Sequence, residues 1–410
     1  MTEKIIVPFN KPYISGNELS YISDLFHSGK SIAGNGYYTK KVCEFIETTF
    51  GAKNAFMTTS CTSALEFATR LLGLKRNDEV ILPSFTFVST ANPVLLAGAK
   101  VVFAEIDEST MNIDPDDIRR KVTPNTKAVY PVHYGGVACK MDEITEIAED
   151  NGLAVVEDAA HGVNARYKDR YLGTIGDFGC YSFDELKNYS CGEGGALLLN
   201  TDDKKLIGRA EVLRDKGTDR SRFSRGEVDK YTWVDIGSNY MPSDILAAFL
   251  YAQLENLNEA QKKRHRIYDA YNEALKPYEK EGLMRLPIVP DYAGHNAHIY
   301  YVLFNDGRAR DAVMGQLKSR GILAVFHYIP LHSSPMGKKL GYEEGDLPVT
   351  ESVSKRLLRL PMYAGMTEEE LAYVISALKE VIEEEVAQKC QDTGYPSSYR
   401  STTRKRLSES

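Results

Sequence analysis

From residue 54 onward the chain falls into a rhythm of short apolar runs. They read NAFMTT, EVILPS, KVVFAEI, KAVYPVHY, LAVVEDAA, GCYSF and GALLLN, most of them β-branched or aromatic. Between several of them lie segments with helical spacing, such as SALEFATRLLGL and MDEITEIAEDNG. Strands that alternate with helices predict an α/β fold with a mostly parallel sheet covered on both faces. Ahead of this block, KSIAGNGYYTK reads as a loop, and KKVCEFIETTFG as a helix stopped by its glycine. Together these segments predict a large domain over residues 1–250 with an N-terminal arm.

The pattern then changes. Residues 256–280, LNEAQKKRHRIYDAYNEALKPYEKE, have the polar and apolar faces of a long amphipathic helix. HIYYVLF and ILAVFHYIP read as strands, and helices are expected around 309–320, 351–359 and 367–386. This predicts a smaller α+β domain over 251–388. Residues 389–410 are polar, rich in Ser, Thr and Arg and without an apolar period, and are expected to be a disordered tail.

Composition narrows the function classes. The chain has 410 residues, 43% of them apolar and 26% charged, with a net charge of −7. That balance supplies no broad basic surface, so nucleic acid and anionic membranes are not expected partners. No apolar run is long enough to span a bilayer, and the N-terminus lacks the pattern of a secretory signal. The six cysteines are scattered with no Cys-x-x-Cys pair. In a chain of this size they predict reduced thiols and a cytoplasmic setting. No His/Cys/Asp grouping has metal-ligand spacing, so no metal is expected.

Candidate chemistry clusters at the predicted strand ends. VVEDAAH, 155–161, is an apolar strand that ends on Glu157 and Asp158. In parallel sheets ligands bind beyond the carboxyl ends of strands. CYSFDELKNYSCGEGGALLLN, 180–200, places Ser182 at a strand end, Lys187 five residues later and then a glycine-rich turn. A lysine in such a turn is ordinarily solvated. Here it follows a strand-end aspartate by about thirty residues, which suits pyridoxal 5′-phosphate: an amine to hold the cofactor, and a carboxylate for its protonated ring nitrogen. MTTSCTSALEFATRLL, 57–72, is a strand, then small hydroxyl residues, then a helix start, which is a phosphate cradle as well as an ordinary helix cap. LPSFTFVSTAN adds Phe85 and Phe87, of which one is available to stack on a planar ring.

These segments, in this order, resemble the DegT/DnrJ/EryC1/StrS family of sugar aminotransferases. SCTSAL, PSFTFVSTAN, VVEDAAHG, CYSFDELKNYSCGEGGAL and GSNYMPSDILAA carry the resemblance, which covers about residues 5–385. It implies PLP-dependent transferase fold type I, the architecture of aspartate aminotransferase. It also implies a role at each matching position. Lys187 would bind the cofactor covalently and serve as acid and base, and Asp158 would pair with the ring nitrogen. His161 would lie by the ring hydroxyl and Phe87 would stack on the ring. Cys61, Thr62 and Ser182 would hold the phosphate. Asn239 would reach the cofactor phosphate of a neighbouring subunit, which makes the active site shared and the protein a homodimer or larger. PVHYGGVACKMD, KGTDRSRF, VDKYTWVDIGSNY and AVFHYIPLH carry a finer likeness to the family's transaminases that form TDP-4-amino-4,6-dideoxy-D-galactose.

The implied substrates are a nucleotide-linked keto-sugar, TDP-4-keto-6-deoxy-D-glucose, and L-glutamate. Arg214, Lys216, Arg220, Arg222 and Lys230 are candidate cations for the nucleotide diphosphate, with a solvated loop as the alternative. His327 and His332 are candidates for the sugar site, with packed histidines as the alternative. A keto-sugar dehydratase of the same family has His where this chain has Lys187. Amination at C-3, and a regulator that binds without turnover, are the other readings. Two departures stand out: SFDELKN puts Asp184 and Leu186 beside the lysine, where Asp184 is expected to raise its pKa, and Met241-Pro242 follows the aromatic of GSNY.

Overall fold

The computed structural model describes residues 6–392. Thirteen strands are present among them: β1 (Asn54–Thr58), β2 (Glu79–Pro83), β3 (Lys100–Ala104), β4 (Thr126–Val129), β5 (Ala154–Asp158), β6 (Arg166–Tyr167), β7 (Arg170–Tyr171), β8 (Phe178–Ser182), β9 (Gly195–Leu199), β10 (Met284–Arg285), β11 (Ala293–Gly294), β12 (Tyr300–Phe304) and β13 (Leu357–Leu360). Seven of them form one sheet in the order β1-β9-β8-β5-β4-β2-β3. Its parallel ladders join β3, β2, β4, β5 and β8, and β9 alone runs antiparallel to its neighbours. The seven apolar runs of the sequence are these seven strands.

Both faces of the sheet are covered, and β5 shows how. Val155 belongs to the apolar layer that holds Ile46, Ile144 and Tyr181, while Val156 belongs to the layer that holds Phe67, Leu82 and Cys180. Successive side chains of a strand point to opposite faces, so the two carboxylates that follow must part company. Glu157 is fully buried and takes up the protein's own donors: the backbone N–H groups of Gly173, Ile175 and Gly176 at 2.8, 2.6 and 2.7 Å, and His133 Nε2 at 2.9 Å. The Cys139 N–H donates to His133 Nδ1 at 3.1 Å, so the ring proton sits on Nε2 and is donated to Glu157. This network holds the β6–β7 hairpin and its exit loop against the main sheet. Asp158 emerges on the other face.

The smaller sheet, β10-β12-β13, packs with the helices Leu257–Lys280, Gly307–Ser319 and Glu368–Asp392. A bridging cluster joins the two bodies: Phe85 and Tyr134 from the loops of the large sheet meet Ile299, Tyr301, Leu303 and Leu357. The sequence pattern errs in this region. ILAVFHYIP forms no strand of its own, only bridges from Ile322 to Val7 and from Val325 to Arg359. The expected helix over 351–359 is Pro348–Arg356 followed at once by β13. In both places the partner is distant in sequence, and local periodicity does not register it. The helix ending at Asp392 carries the chain past residue 389, and the rest of the expected tail lies outside the described residues. Among the described residues no helix is long and apolar enough to cross a membrane, and no group of side chains is arranged to hold a metal ion.

Removal of the Glu157 carboxylate strands three buried N–H groups and His133 together. Glu157→Ala is expected to destabilise the fold by about 3–5 kcal/mol. Denaturant titration of the purified variant reads this as a lower midpoint; an unchanged midpoint would show that the network contributes nothing net.

Candidate active site

Four strand ends deliver the site. The first follows β1. Ser60 caps the helix Cys61–Leu72, its Oγ accepting the Ser63 N–H at 3.1 Å. The N–H groups of Cys61 and Thr62 have no acceptor among the described residues, as expected of a helix start. The Thr62 hydroxyl lies 2.7 Å from that of Ser89 on the neighbouring helix. Glycine is required across the way: a Cβ on Gly195 at the start of β9 would come within 2.4 Å of the Ser60 carbonyl carbon and 2.5 Å of the Cys61 nitrogen. Only a bare backbone lets the phosphate-type cradle close so tightly.

At the end of β5, Asp158 is buried, with two donors. Thr90 Oγ1 donates to Oδ2 at 2.7 Å, and the Ala160 N–H donates to Oδ1 at 3.2 Å. Thr90 is itself 2.8 Å from the Thr86 hydroxyl. Burial raises the Asp158 pKa; these hydrogen bonds and the charge of Lys187 act in opposition. Glu157 takes four donors, but this carboxylate has only two, and no cation lies at ion-pairing distance among the described residues. A buried carboxylate left in this state is an incomplete site.

Ser182 ends β8, buried, and Lys187 follows in the turn. The lysine ammonium makes no hydrogen bond or ion pair among the described residues. Burial lowers its pKa, and this outweighs the pull of Cys61, Asp158 and Asp184 in the other direction. The expected upward effect of Asp184 is therefore real but loses to desolvation, and the net shift favours a free amine, the nucleophilic form. Asp184 is occupied with the turn itself, accepting the Leu186 N–H at 3.0 Å through Oδ1.

His161 completes the floor. The Gly135 N–H donates to its Nδ1 at 3.3 Å. Burial, then the charges of Lys187 and Arg359, push its pKa well below the usual value. The ring is thus neutral, with its proton on Nε2 available for donation. His298 stacks on it with centroids 4.2 Å apart and donates from Nδ1 to Asn188 Oδ1 at 2.9 Å. His327 lies beyond, 6.3 Å from His161, and is joined to the Tyr134 hydroxyl at 2.9 Å. A small cavity runs between His161, Ser182, Lys187, Asn188 and His298. Phe87 is 58% exposed at the start of the helix Val88–Leu96, whereas Phe85 is core. Phe87 is therefore the aromatic that remains free to cover a ligand.

Other candidates lie elsewhere. His332 is fully buried between Ser84 Oγ at 2.7 Å and Glu351 Oε1 at 3.0 Å, a packed histidine rather than a wall of the sugar site. Arg214 is buried over the Phe56 ring and donates to Asn35 Oδ1 at 3.3 Å, so it is not an open cation of the loop. Lys216 pairs with Asp215 at 2.8 Å and Arg222 with Glu227 at 3.3 Å. Arg220 and Lys230 are exposed on the 216–240 loop, Arg220 near the Tyr231 ring. Asn239 is exposed beside Tyr240, whose carbonyl accepts the Thr59 N–H at 2.9 Å. Sequence reasoning missed Thr90, Tyr134, Asn188, His298 and Arg359. The cue for His298 was the pair of histidines in GHNAH, just ahead of β12.

These residues fit pyridoxal phosphate: a buried carboxylate without a cation, helix amides without an acceptor and a desolvated amine converge on one cleft. Comparison with known proteins agrees. The profile of the DegT/DnrJ/EryC1/StrS aminotransferase family matches residues 12–379. The spore coat polysaccharide biosynthesis protein SpsC of Bacillus subtilis is 36% identical over 386 residues, covering 92% of this chain and 97% of that protein. Among solved structures, the aminotransferase TlmJ from Streptoalloteichus hindustanus superposes with a TM-score of 0.84 at 29% identity, covering 92% of this chain and 99% of its own. DesV of S. venezuelae does so with a TM-score of 0.82 at 29% identity, covering 92% and 99%.

Thr90→Val removes the donor that helps keep Asp158 ionised. The variant is expected to hold pyridoxal phosphate roughly 10-fold more weakly, read from cofactor release on dialysis against a fixed phosphate buffer. Unchanged retention would mean that Asp158 does not depend on Thr90.

Proposed function

The chain belongs to the DegT/DnrJ/EryC1/StrS aminotransferase family, and from that premise we propose that it aminates C-4 of a TDP-4-keto-6-deoxyhexose. The substrate in this reading is TDP-4-keto-6-deoxy-D-glucose, the amino donor is L-glutamate and the cofactor is pyridoxal 5′-phosphate. The reaction class follows from the family, and Lys187 stands where a dehydratase of the same fold would have histidine. The observation that supports the choice of sugar is the link between Tyr134 and His327 at 2.9 Å. It joins PVHYGGVACKMD to AVFHYIPLH, two segments of the finer likeness, on the wall of the cleft.

Each residue's task follows from its chemistry. The Cys61 and Thr62 amides and the Ser182 hydroxyl bind phosphate, favoured by the helix dipole. Asp158 holds a protonated ring nitrogen, and His161 donates from Nε2 to the ring hydroxyl. Phe87 covers one ring face. Pyridoxal phosphate, when bound, supplies an electron sink for the carbon that gains or loses nitrogen. Lys187 would hold the cofactor and, when its amine is free, would move a proton to and from the reacting carbon. Burial lowers its pKa, which favours the free amine for that work.

The assembly belongs to the same reading. Phe223, Tyr231, Trp233, Val234 and Ile236 are all exposed on the 216–240 loop, with Trp233 at 75%. Apolar side chains so concentrated on one loop support contact with another subunit. In a homodimer with shared sites, Asn239 would reach the partner's phosphate, and Arg220 and Lys230 would face a nucleotide diphosphate. The setting we assign is the cytoplasm.

The visible absorbance of the purified protein tests the reading. L-glutamate is expected to bleach the band of the lysine-bound cofactor, and TDP-4-keto-6-deoxy-D-glucose to restore it. Bleaching without restoration would reject the sugar, and product NMR distinguishes C-4 from C-3. Lys187→Ala is expected to fold and to lose turnover by roughly 10²–10⁴-fold or more; substantial residual turnover would refute its role.

A further inference from the structure

The turn that carries Lys187 and the loop that follows Asp158 are both gripped by one short segment, residues 296–298, just ahead of β12. Asn188, the neighbour of Lys187, is buried, and both ends of its side-chain amide are taken. Its Nδ2 donates to the Asn296 carbonyl at 3.0 Å, and its Oδ1 accepts from His298 Nδ1 at 2.9 Å. The Asn296 side chain holds the other loop, where its Nδ2 donates to the His161 and Val163 carbonyls at 2.8 Å each. His298 lies face to face with His161, the ring planes 29° apart and the centroids 4.2 Å apart.

The segment is held in place against its own preferences. Ala297 has a φ of +50°, in the left-handed region that a residue with a Cβ disfavours. Arg264, from the helix Leu257–Lys280, fixes this conformation by donating to the Ala297 carbonyl at 2.9 Å and to the His298 carbonyl. Asn296 Oδ1 is buried without a hydrogen-bond partner among the described residues. Turning that amide over would set its oxygen against two carbonyls, so the orphan is the cost of holding His161 and Val163. Gly136 leaves room for it, since a Cβ there would come within 1.9 Å of Oδ1. Joining the two sheets does not require any of this, because the apolar cluster of Phe85, Tyr134 and Ile299 already does so. Strain and an unsatisfied polar atom gathered at one segment of a cleft point to a task in the reaction.

Resting on the aminotransferase reading above, we propose that His298 is a positioning residue that sets Lys187 through its Nδ1–H to Asn188 and sets the His161 imidazole through its ring face. The lysine amine rides on a flexible stem and has no hydrogen-bond partner among the described residues. Its direction therefore depends on the backbone from which the stem springs, and Asn188 anchors that backbone one residue away. Asn188 Oδ1 is an acceptor only, so His298 must carry its proton on Nδ1. Burial, then the charges of His161 and Lys187, keep the His298 ring neutral, which leaves this tautomer in place. His161 has one polar tether for its ring, the Gly135 N–H at 3.3 Å, and the face of His298 fixes the plane that this tether leaves free. Lys187 and His161 work on one ligand, the first at the reacting carbon and the second at the ring hydroxyl. A single imidazole that touches the supports of both fixes their separation, and a misplacement of about 1 Å costs roughly 10²-fold in rate.

Two variants separate the two contacts. His298→Phe keeps an aromatic face against His161 and removes the donor to Asn188; His298→Asn keeps an N–H near the place of Nδ1 and removes the face. Two readings are taken on each. The first is the rate at which cofactor-free protein captures pyridoxal phosphate on Lys187, followed by borohydride fixation and mass spectrometry. The second is the position of the visible absorbance band of the loaded protein, with His161→Gln as the reference for a lost imidazole. His298→Phe is expected to slow capture roughly 10- to 100-fold and to keep the wild-type band. His298→Asn is expected to capture within about twofold of wild type and to show the band of His161→Gln. Capture by His298→Phe at the wild-type rate would overturn the proposal alone, as would a wild-type band in His298→Asn, or two variants equally impaired in both readings. No capture by the wild type would instead sink the aminotransferase reading, and the proposal with it. If His298→Phe does not fold, Asn188→Ala removes the same hydrogen bond from the other side and is expected to slow capture to the same degree; capture at the wild-type rate would overturn the proposal.

Discussion

The pair of carboxylates at the end of β5 constrains the rest of the site. Strand geometry sends Glu157 and Asp158 to opposite faces of the sheet, and the protein treats them in opposite ways. Glu157 receives four donors from the hairpin loop and His133. Among the described residues Asp158 receives only the Thr90 hydroxyl and one N–H, and no cation. A buried carboxylate is tolerated at such a position only if something supplies positive charge there when the protein is at work. The satisfied member of the pair locks the strand end, and the unsatisfied member thereby acquires a fixed address for a cationic ring nitrogen.

Other features take their positions from that address. The chain must bring an amine to the same cleft without letting it neutralise Asp158 permanently, and the SFDELKN turn does so. Asp184 organises the turn through the Leu186 N–H, and the Lys187 side chain has no partner among the described residues and sits in a desolvated place. The helix after β1 brings two unused amides. Gly195 allows β9 to run so close to them that any side chain would collide. None of these pieces is strong alone, since each is also what an ordinary cap, turn or strand looks like. Their convergence at the carboxyl edge of one sheet separates a cofactor site from four unrelated local motifs.

Much of this was legible in the sequence, for a physical reason. Lys187, Asp158, Ser182, Cys61 and Thr62 each follow directly from a strand, and short apolar runs mark strands well. The seven-stranded sheet and its helices were legible on the same basis. What stayed hidden depends on partners far along the chain. His332 and His327 are five residues apart in one segment, yet one is sealed between Ser84 and Glu351 and the other faces the cleft. Arg214 sits in a basic stretch that reads as a charged loop, but it ends a helix and is covered by Asn35 and Phe56. Arg359 fell within an expected helix, because β13 is a strand only by virtue of β12 and Val325.

The charge balance of the cleft ties these parts together. Three imidazoles stand in a row, and burial beside Lys187 and Arg359 drives all three well below their usual pKa, so the row is neutral. Neutral imidazoles keep a definite donor and acceptor face: His161 accepts from Gly135 and offers Nε2–H, and His298 gives its Nδ1 proton to Asn188. They confer direction without adding charge. That leaves Arg359 as a standing cation near Asp158, with the amides of the Cys61–Leu72 helix adding positive potential, while Lys187, its pKa lowered by burial, adds charge only in its protonated form. A cleft so weighted favours anions over neutral sugars and free bases. It suits ligands that bring their own negative charge: a phosphorylated cofactor at the helix, and a carboxylate or a nucleotide diphosphate on the substrates. The neutral histidines then decide orientation within a site whose occupancy is set by the cations.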